Sequence, residues 1–178
     1  MGGGMIPHSP TTRYVSRRLK PLCFTLLFLL LTAGLSAQEK KAVGKAAIGI
    51  GPEWNMNSRD NFAGGAALNF NYALPYSLAI GFSFTASNNF SGFTVLEPAA
   101  VIRRYFLGDG RSGLFAQADL GCYLFPEDGE MTKMFAGGLR GGYRIPVKSS
   151  FYIEPYGRGG YPFAFGVGAV VGIRFVDN

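Results

Sequence analysis

Beyond residue 37 the chain alternates apolar with polar or small residues, over segments of about ten residues. The clearest segment places Leu78, Ile80, Phe82 and Phe84 on one face and Ala79, Gly81, Ser83 and Thr85 on the other. A repeat of two is the period of a β-strand, because successive side chains point to opposite sides. Eight such segments are predicted, at about 45–54, 62–72, 78–85, 93–106, 114–123, 135–144, 151–158 and 165–175.

Turn-forming residues separate these segments. Gly, Pro, Asn or Asp occurs in each connection, as in residues 88–89, 108–110 and 146–148, and these residues supply turn geometry. Short connections predict antiparallel neighbours, and an even number of strands returns both termini to one end. Pro98 and Pro155 fall inside predicted strands, where each removes a ladder hydrogen bond and predicts a bulge.

The composition of the two faces indicates which one points outward. The polar face is rich in Gly, Ala, Ser and Arg, whereas lysine beyond residue 37 stands at segment ends or in turns, at Lys40, Lys41, Lys45, Lys133 and Lys148. An eight-stranded barrel has an interior just wide enough for side chains. A soluble ligand-binding barrel would show the same period with its apolar face inside. The pattern favours an all-β fold, an eight-stranded antiparallel up-and-down transmembrane β-barrel with its apolar face in lipid.

The first 37 residues have a different character. A basic group, Arg13, Arg17, Arg18 and Lys20, precedes an apolar run over residues 22–35. With the small residues that end at Ala37, this order predicts a secretory signal peptide over 1–37, cleaved after about Ala37, and a barrel domain over 38–178. The run of about 14 residues is shorter than the roughly 20 that a transmembrane helix needs. Two positions, Met1 and Met5, remain as alternatives for the translation start.

Composition and charge agree with an exported membrane protein. Hydrophobic residues make up 48% of the 178 residues and charged residues only 16%, against about 25% in typical soluble proteins. Four of the 17 basic residues lie in the leader, whereas all 11 acidic residues follow it, so most of the formal charge of +6 belongs to the leader. No basic patch interleaved with aromatics is present, and nucleic acid is not expected as a partner.

Charged residues on the polar face are expected to pair inside the barrel, because an isolated charge in a narrow lumen is costly. The predicted structural network comprises Glu97, Arg103, Asp119, Arg140, Glu154, Arg158 and Arg174. Its proposed centre is a chain Asp119–Arg140–Glu154, extended by Arg103 and Arg174 toward the periplasmic end. Arg104 and Arg144 lie near strand ends and are interpreted as interfacial cations. The alternative to a structural network is that these charges form a constriction in a narrow pore.

Residues 96–106 and 170–175 resemble strands of the small outer-membrane β-barrel superfamily, which includes the OmpA transmembrane domain, OmpX and OmpW. The resemblance covers the chain after the leader and is one of pattern. It implies the bacterial outer membrane as the location, with outer-membrane lipid and the insertion machinery as partners. One departure is that Phe175 is followed by Val176, Asp177 and Asn178, whereas these families usually end on an aromatic residue.

Residue types needed for catalysis or for metal and cofactor binding are scarce. The single histidine, His8, lies in the leader, and Cys122 is the one cysteine beyond it, so a zinc site of the usual type is not expected. The glycines of residues 166–172 lack dinucleotide-binding spacing. The acidic residues 127–130 are interpreted as a solvated turn. We expect no cofactor, no metal and no enzyme activity.

Three functions remain open on the sequence alone. The favoured one is a structural, non-catalytic integral outer-membrane protein. The second is a narrow pore or conduit for small or apolar molecules. The third is a surface-exposed adhesion protein, for which the short predicted loops offer little area.

Overall fold

The computed structural model describes residues 46–56, 62–89, 93–106, 112–127, 130–148 and 150–175. The predicted signal peptide, residues 1–37, and its cleavage point after Ala37 lie outside the described residues. So do the tip of the acidic turn, residues 128–129, and the last three residues. Among the described residues no helix is long and apolar enough to cross a membrane.

The described residues form eight β-strands, which confirms the predicted fold class. Their bounds are β1 Ala46–Met56, β2 Phe62–Leu74, β3 Leu78–Asn89, β4 Phe93–Tyr105, β5 Gly113–Glu127, β6 Glu130–Pro146, β7 Phe151–Tyr161 and β8 Phe165–Phe175. Each strand pairs antiparallel with the next, and β8 pairs with β1 to close the barrel. Closure leaves every strand with two neighbours, as a membrane-spanning sheet requires.

The two ends of the barrel differ in what they carry. The β1–β2, β3–β4, β5–β6 and β7–β8 connections lie at one end, here called the loop end. Ala46 and Phe175, where β1 begins and β8 ends, are paired at the other end, here called the terminus end.

The strand registers give the barrel its stagger. The partners that follow Asn55 around the sheet are Gly166, Arg158, Arg140, Gln117, Arg103, Ala79 and Ala73. The β1–β2 register pairs Tyr72 with Ala46, nine residues before Asn55, so that one more step to Ala73 gives a stagger of ten residues. With a rise of ~3.3 Å per residue and strands ~4.8 Å apart, this stagger corresponds to a tilt of about 40°.

Side chains on the outside of the barrel are large and apolar. Ile50, Leu120, Phe135 and Val171 are each more than half exposed. Exposed aromatics lie near both ends, with Trp54, Phe62 and Phe165 toward the loop end and Tyr72, Phe151 and Phe175 toward the terminus end. This is the apolar band with aromatic girdles that a bilayer selects on a transmembrane barrel.

The β5–β6 hairpin is longer than the sequence predicted. Its ladder continues to the pair Glu127↔Glu130, whereas the β4–β5 ladder ends at Leu96↔Leu124 and the β6–β7 ladder ends at Gly137↔Tyr161. The hairpin therefore extends past its neighbouring ladders at the loop end. Residues 124–127 and 130–134, which lie between the predicted fifth and sixth strands, are therefore paired as strand.

The predicted bulges at Pro98 and Pro155 are wrong. The registers of β3–β4, β4–β5 and β7–β8 each continue without a shift through the proline positions. The β4–β5 ladder instead lacks the pair at Pro98 and the β6–β7 ladder lacks the pair at Pro155, because a proline nitrogen has no hydrogen to donate. The sheet thus accommodates these prolines by a missing pair and not by an extra residue.

Candidate functional site

Charged side chains meet inside the lumen toward the loop end. This loop-end cluster consists of Glu53, Glu97, Asp119, Arg140 and Arg158, and each of these residues is at most 6% exposed. Arg158 Nη1 lies 2.9 Å from Glu53 Oε1, and Arg158 Nη2 lies 2.5 Å from Glu97 Oε1. Arg158 thereby joins β7 to β1 and β4 across the lumen, using the planar fork that suits arginine to two carboxylates.

Arg140 is the second base of the loop-end cluster. Its Nε lies 3.5 Å from Asp119 Oδ2, and its Nη2 lies 3.7 Å from Glu53 Oε2. These are ion-pair separations, longer than good hydrogen bonds. Arg140 also donates to Asn69 Oδ1 at 3.3 Å, and its guanidinium lies 4.5 Å from the ring centroid of Tyr156. The hydroxyl of that tyrosine donates to Glu53 Oε2 at 2.6 Å.

A second group of charges, the terminus-end cluster, comprises Arg103, Arg144 and Glu154. Arg103 Nη1 and Arg144 Nε approach the same oxygen, Glu154 Oε2, at 2.8 and 2.7 Å. Exposure of the three residues is 3% or less. Two bases therefore share one acid in a site shielded from water, where charge–charge interactions are strong.

Aromatic rings pack against both arginines of the terminus-end cluster. The Arg103 guanidinium lies 4.0 Å from the ring centroid of Phe115, and that of Arg144 lies 4.1 Å from the centroid of Tyr152. The ring centroid of Tyr105 lies 5.9 Å from the guanidinium carbon of Arg103 and 5.4 Å from that of Arg144. A desolvated cation over an aromatic face gains about 2 kcal/mol. The rings thus help to stabilise the excess positive charge.

Gln117 connects the two clusters. Its Oε1 accepts a hydrogen bond from Arg103 Nε at 2.8 Å, and its Nε2 donates to Asp119 Oδ1 at 2.5 Å. Gln117 is 2% exposed. One amide therefore satisfies an arginine of one cluster and a carboxylate of the other, so that the charged lumen is a continuous network.

Glycines of β8 make room for the lumen tyrosines. A Cβ at Gly168 would lie 2.5 Å from the ring of Tyr156, and one at Gly172 would clash with the ring of Tyr152. Real Cβ atoms do not approach other atoms so closely. The glycine-rich stretch of residues 166–172 thus serves side-chain packing, as expected for small residues that line a narrow barrel.

Aromatic side chains also lie at the loop end of the barrel. Phe163, in the β7–β8 connection, is 6% exposed. Its ring centroid lies 6.3 Å from that of Tyr123, which in turn lies 5.2 Å from that of Phe125. Edge-to-face and tilted contacts at these separations are favourable. The rings link the β5–β6 hairpin to the last connection.

The structure places every residue of the predicted network on the lumen side, at most 7% exposed. These residues are Glu97, Arg103, Asp119, Arg140, Glu154, Arg158 and Arg174. It brings Asp119 next to Arg140 and Arg103 next to Glu154. Arg174 is buried near the end of β8, and its backbone N–H donates to Ser150 O at 2.7 Å.

The predicted Asp119–Arg140–Glu154 chain needs correction at its third member. The register pairs Arg140 with Arg158, and Glu154 lies four residues away along β7 toward the terminus end. Glu154 accordingly binds Arg103 and Arg144, whereas Arg140 turns to Glu53. The interpretation of Arg144 as an interfacial cation is also wrong, because this side chain is 3% exposed and paired in the lumen.

Sequence reasoning missed Glu53, the most connected acid of the network. Its position has the parity of Ala47, Gly49 and Gly51, and all of them face the lumen side of β1. The same alternation continues past Pro52 and indicates that Glu53 faces the lumen. Its partners, Arg140 and Arg158, are given by the structure alone.

The chemistry of the site is that of paired charges in a buried interior. The largest fully buried side chains of the described residues include Arg103, Tyr152, Phe115, Gln117 and Glu53. Among the described residues there is no group of three or more His, Cys, Asp or Glu placed to hold a metal ion. The arrangement cross-links strands on opposite sides of the lumen through ion pairs and hydrogen bonds.

No protein-family model matches the chain, and no curated protein sequence matches it either. Among solved structures, the barrel is similar to Neisserial surface protein A, NspA, with a TM-score of 0.52, 12% identity, and coverage of 74% of this chain and 96% of that chain. A de novo designed transmembrane β-barrel aligns with a TM-score of 0.48 and 11% identity, over 77% of this chain and 99% of the design. Ail, the attachment invasion locus protein of Yersinia pestis, aligns with a TM-score of 0.44 and 14% identity, over 76% and 99%.

The fold is therefore that of the small eight-stranded outer-membrane β-barrels. The match to NspA covers nearly all of that protein, and the closed antiparallel strand order of the described residues is the defining feature of the class. At this level of identity the likeness concerns architecture, which fits a resemblance of pattern in the sequence.

Proposed function

We propose that this protein is a structural, non-catalytic integral protein of the bacterial outer membrane. The observation that carries the proposal is the inverted polarity of the barrel. Large apolar side chains such as Ile50, Leu120 and Phe135 are exposed outside, whereas arginines and carboxylates are buried inside. A water-soluble protein gains stability from the opposite arrangement, because apolar burial is the main driving force of its folding.

The charge network of the lumen supports a structural role over a pore. Arg103 and Arg158 reach across the interior to carboxylates on other strands, and Gln117 binds Arg103 on the neighbouring strand. Eight-stranded barrels have an interior that side chains are able to fill, unlike the wide channels of larger porins. We expect planar bilayers that contain the purified protein to show no single-channel steps. Stable steps would favour the conduit alternative.

Location and insertion follow from the same fold. The partners we propose are outer-membrane lipid, which contacts the exposed apolar band, and the outer-membrane insertion machinery. The short turns and the paired ends of β1 and β8 would face the periplasm, and the longer β5–β6 hairpin would face the cell exterior, as in bacterial barrels. The structural similarity to NspA, a surface protein by name, supports the outer-membrane location.

A second candidate function is surface contact through the β5–β6 hairpin. The hairpin extends past its neighbouring ladders, and Met131 and Met134 on it are 52% and 41% exposed. This projecting strand pair was not expected from the sequence, and it offers more area than the predicted short loop. Adhesion of intact cells to host matrix, reduced by a Met131→Ser, Met134→Ser double variant, would favour this function. Unchanged adhesion would leave the structural role.

The membrane proposal is tested by fractionation and gel mobility. The mature protein should be recovered from the outer-membrane fraction. It should also migrate at different positions before and after boiling in detergent, because a closed barrel resists detergent until heated. A monomer that is freely soluble in water and missing from the envelope would overturn the proposal.

A further inference from the structure

The outer surface of the barrel carries an apolar groove where β1, β7 and β8 meet. Two adjoining depressions form it, with volumes of about 330 and 350 Å³. The first is lined by residues that include Ile50, Leu68 and Ile173, and the second by Ile153 and the first two residues of the β6–β7 connection. Phe151 and Val171 line both depressions, so the two adjoin along these side chains.

The groove leads from the apolar band to a cation. Its terminus-end part is lined by Val147 and Lys148, in the connection that follows β6. The backbone N–H groups of both residues donate to Phe151 O, at 3.0 and 3.4 Å, which fixes the connection beside the groove. Lys148 is exposed. Its ammonium group is therefore available to an anion located at the edge of the apolar band.

An apolar channel that ends at a surface cation matches the chemistry of a phospholipid. An acyl chain is removed from contact with other tails at little cost when it packs against a preformed apolar groove. The lipid phosphate lies at the interface, where a lysine near the membrane surface attracts it. We propose that one phospholipid binds here, with an acyl chain between Phe151 and Val171 and its phosphate at Lys148.

This inference rests on the membrane location proposed above and adds a defined lipid site to it. The occupant is a phospholipid of the leaflet at the terminus end. A uniform lipid-facing surface would hold only a mobile ring of lipids. A groove with one cation at its end instead binds one lipid molecule, because the groove accommodates an acyl chain while the cation attracts the phosphate.

Native mass spectrometry of the folded mature protein, released from detergent after addition of dioleoyl phosphatidylglycerol, tests the proposal. We expect one retained lipid per barrel at low lipid excess. Lys148→Ala should weaken its retention about fivefold, the contribution of a single basic residue near a membrane surface. Lys133→Ala removes the same charge from β6 near the loop end and should leave retention unchanged.

The tail site is tested separately from the phosphate site. Val171 is 57% exposed and lines both depressions, so Val171→Phe should fill the groove without disturbing the lumen. We expect retention to fall, because the phenyl ring occupies the space of the acyl chain and removes its packing contacts with the groove. Leu120→Phe enlarges an equally exposed side chain on β5, outside the groove, and should have no effect.

The outcomes separate this proposal from the membrane proposal. Equal lipid retention by the wild type, Lys148→Ala and Val171→Phe would overturn the groove site, as would a dimer whose formation Val171→Phe abolishes. Heat-modifiable gel mobility of each variant reports whether it is folded. Loss of that mobility in the wild type would contradict the membrane barrel itself.

Discussion

The two charge clusters of the lumen both bury ionised side chains, but they contain acids and bases in opposite ratios. The loop-end cluster has three carboxylates for two arginines, whereas the terminus-end cluster has two arginines for one carboxylate among the described residues. The formal charges of the residues named here therefore sum to −1 in the first cluster and to +1 in the second, in an interior with little water. The imbalances have opposite sign, and Gln117 joins the clusters.

Neutral side chains stabilise the excess charge in both clusters, and the kind of neutral side chain differs between the two. At the loop end the hydroxyl of Tyr156 and the amide of Asn55 donate to Glu53. At the terminus end the faces of Phe115 and Tyr152 pack against arginines. Excess negative charge is thus met by hydrogen-bond donors and excess positive charge by aromatic rings, since the ring face is electron-rich.

The largest effect is expected from Glu154→Gln. This change leaves Arg103 and Arg144 without the carboxylate that they share, in a cluster with excess positive charge. Breaking a buried ion pair by removing one partner costs about 3–5 kcal/mol. The free energy of unfolding by urea in lipid vesicles measures it. A loss below about 1 kcal/mol would show that the aromatic rings are enough to stabilise Arg103 and Arg144 without the carboxylate.

Arg140→Met should have an intermediate effect. It removes the arginine that faces Asp119, but Glu53 keeps its 2.9 Å contact with Arg158. Because the two Arg140 contacts are 3.5 and 3.7 Å long, we expect a loss of about 2–3 kcal/mol in the same urea titration. Unchanged stability would discredit Arg140 as a member of the network.

Gln117→Met tests the connection between the clusters. The variant keeps the side-chain volume but leaves Arg103 Nε and Asp119 Oδ1 without the amide that now satisfies them. We expect a loss of about 1–2 kcal/mol in unfolding free energy. A double-mutant cycle with Glu154→Gln should show coupling, and strict additivity would contradict a continuous network.

Glu97→Gln should have the smallest effect and is the matched control for Glu154→Gln. It neutralises one carboxylate of the cluster that has carboxylates in excess, and the amide oxygen is still able to accept from Arg158. We expect a change within about 1 kcal/mol. A loss as large as that of Glu154→Gln would refute the proposed difference between the two clusters.

The sequence predicted the barrel well because each strand has its own alternation. Leu78 to Thr85 alternate so regularly that the face of every side chain follows from its position, and the structure confirms the eight strands and their closure. The β5–β6 hairpin was underestimated because residues 126–129 have turn composition. Pairing of the flanking strands extended the ladder beyond what local composition indicates.

The sequence indicates which charged residues face the lumen, but not which acid pairs with which base. Parity alone places Arg140, Glu154 and Arg158 inside the barrel, since lumen and lipid faces alternate. Which acid meets which base depends on the stagger between strands and on the reach of arginine across the lumen, neither of which is local. Arg140 consequently contacts Glu53 on β1, 87 positions away in the chain, and not Glu154.

The central claim is that the apolar outer face contacts acyl chains, and Trp54 reports on it directly. It is the single tryptophan of the chain, it is 55% exposed, and it lies on the outside of β1 toward the loop end. In vesicles of brominated phospholipids its fluorescence should be strongly quenched, more by bromines near the headgroups than by bromines at the chain ends. Quenching by aqueous iodide, together with no response to the brominated lipids, would contradict the account.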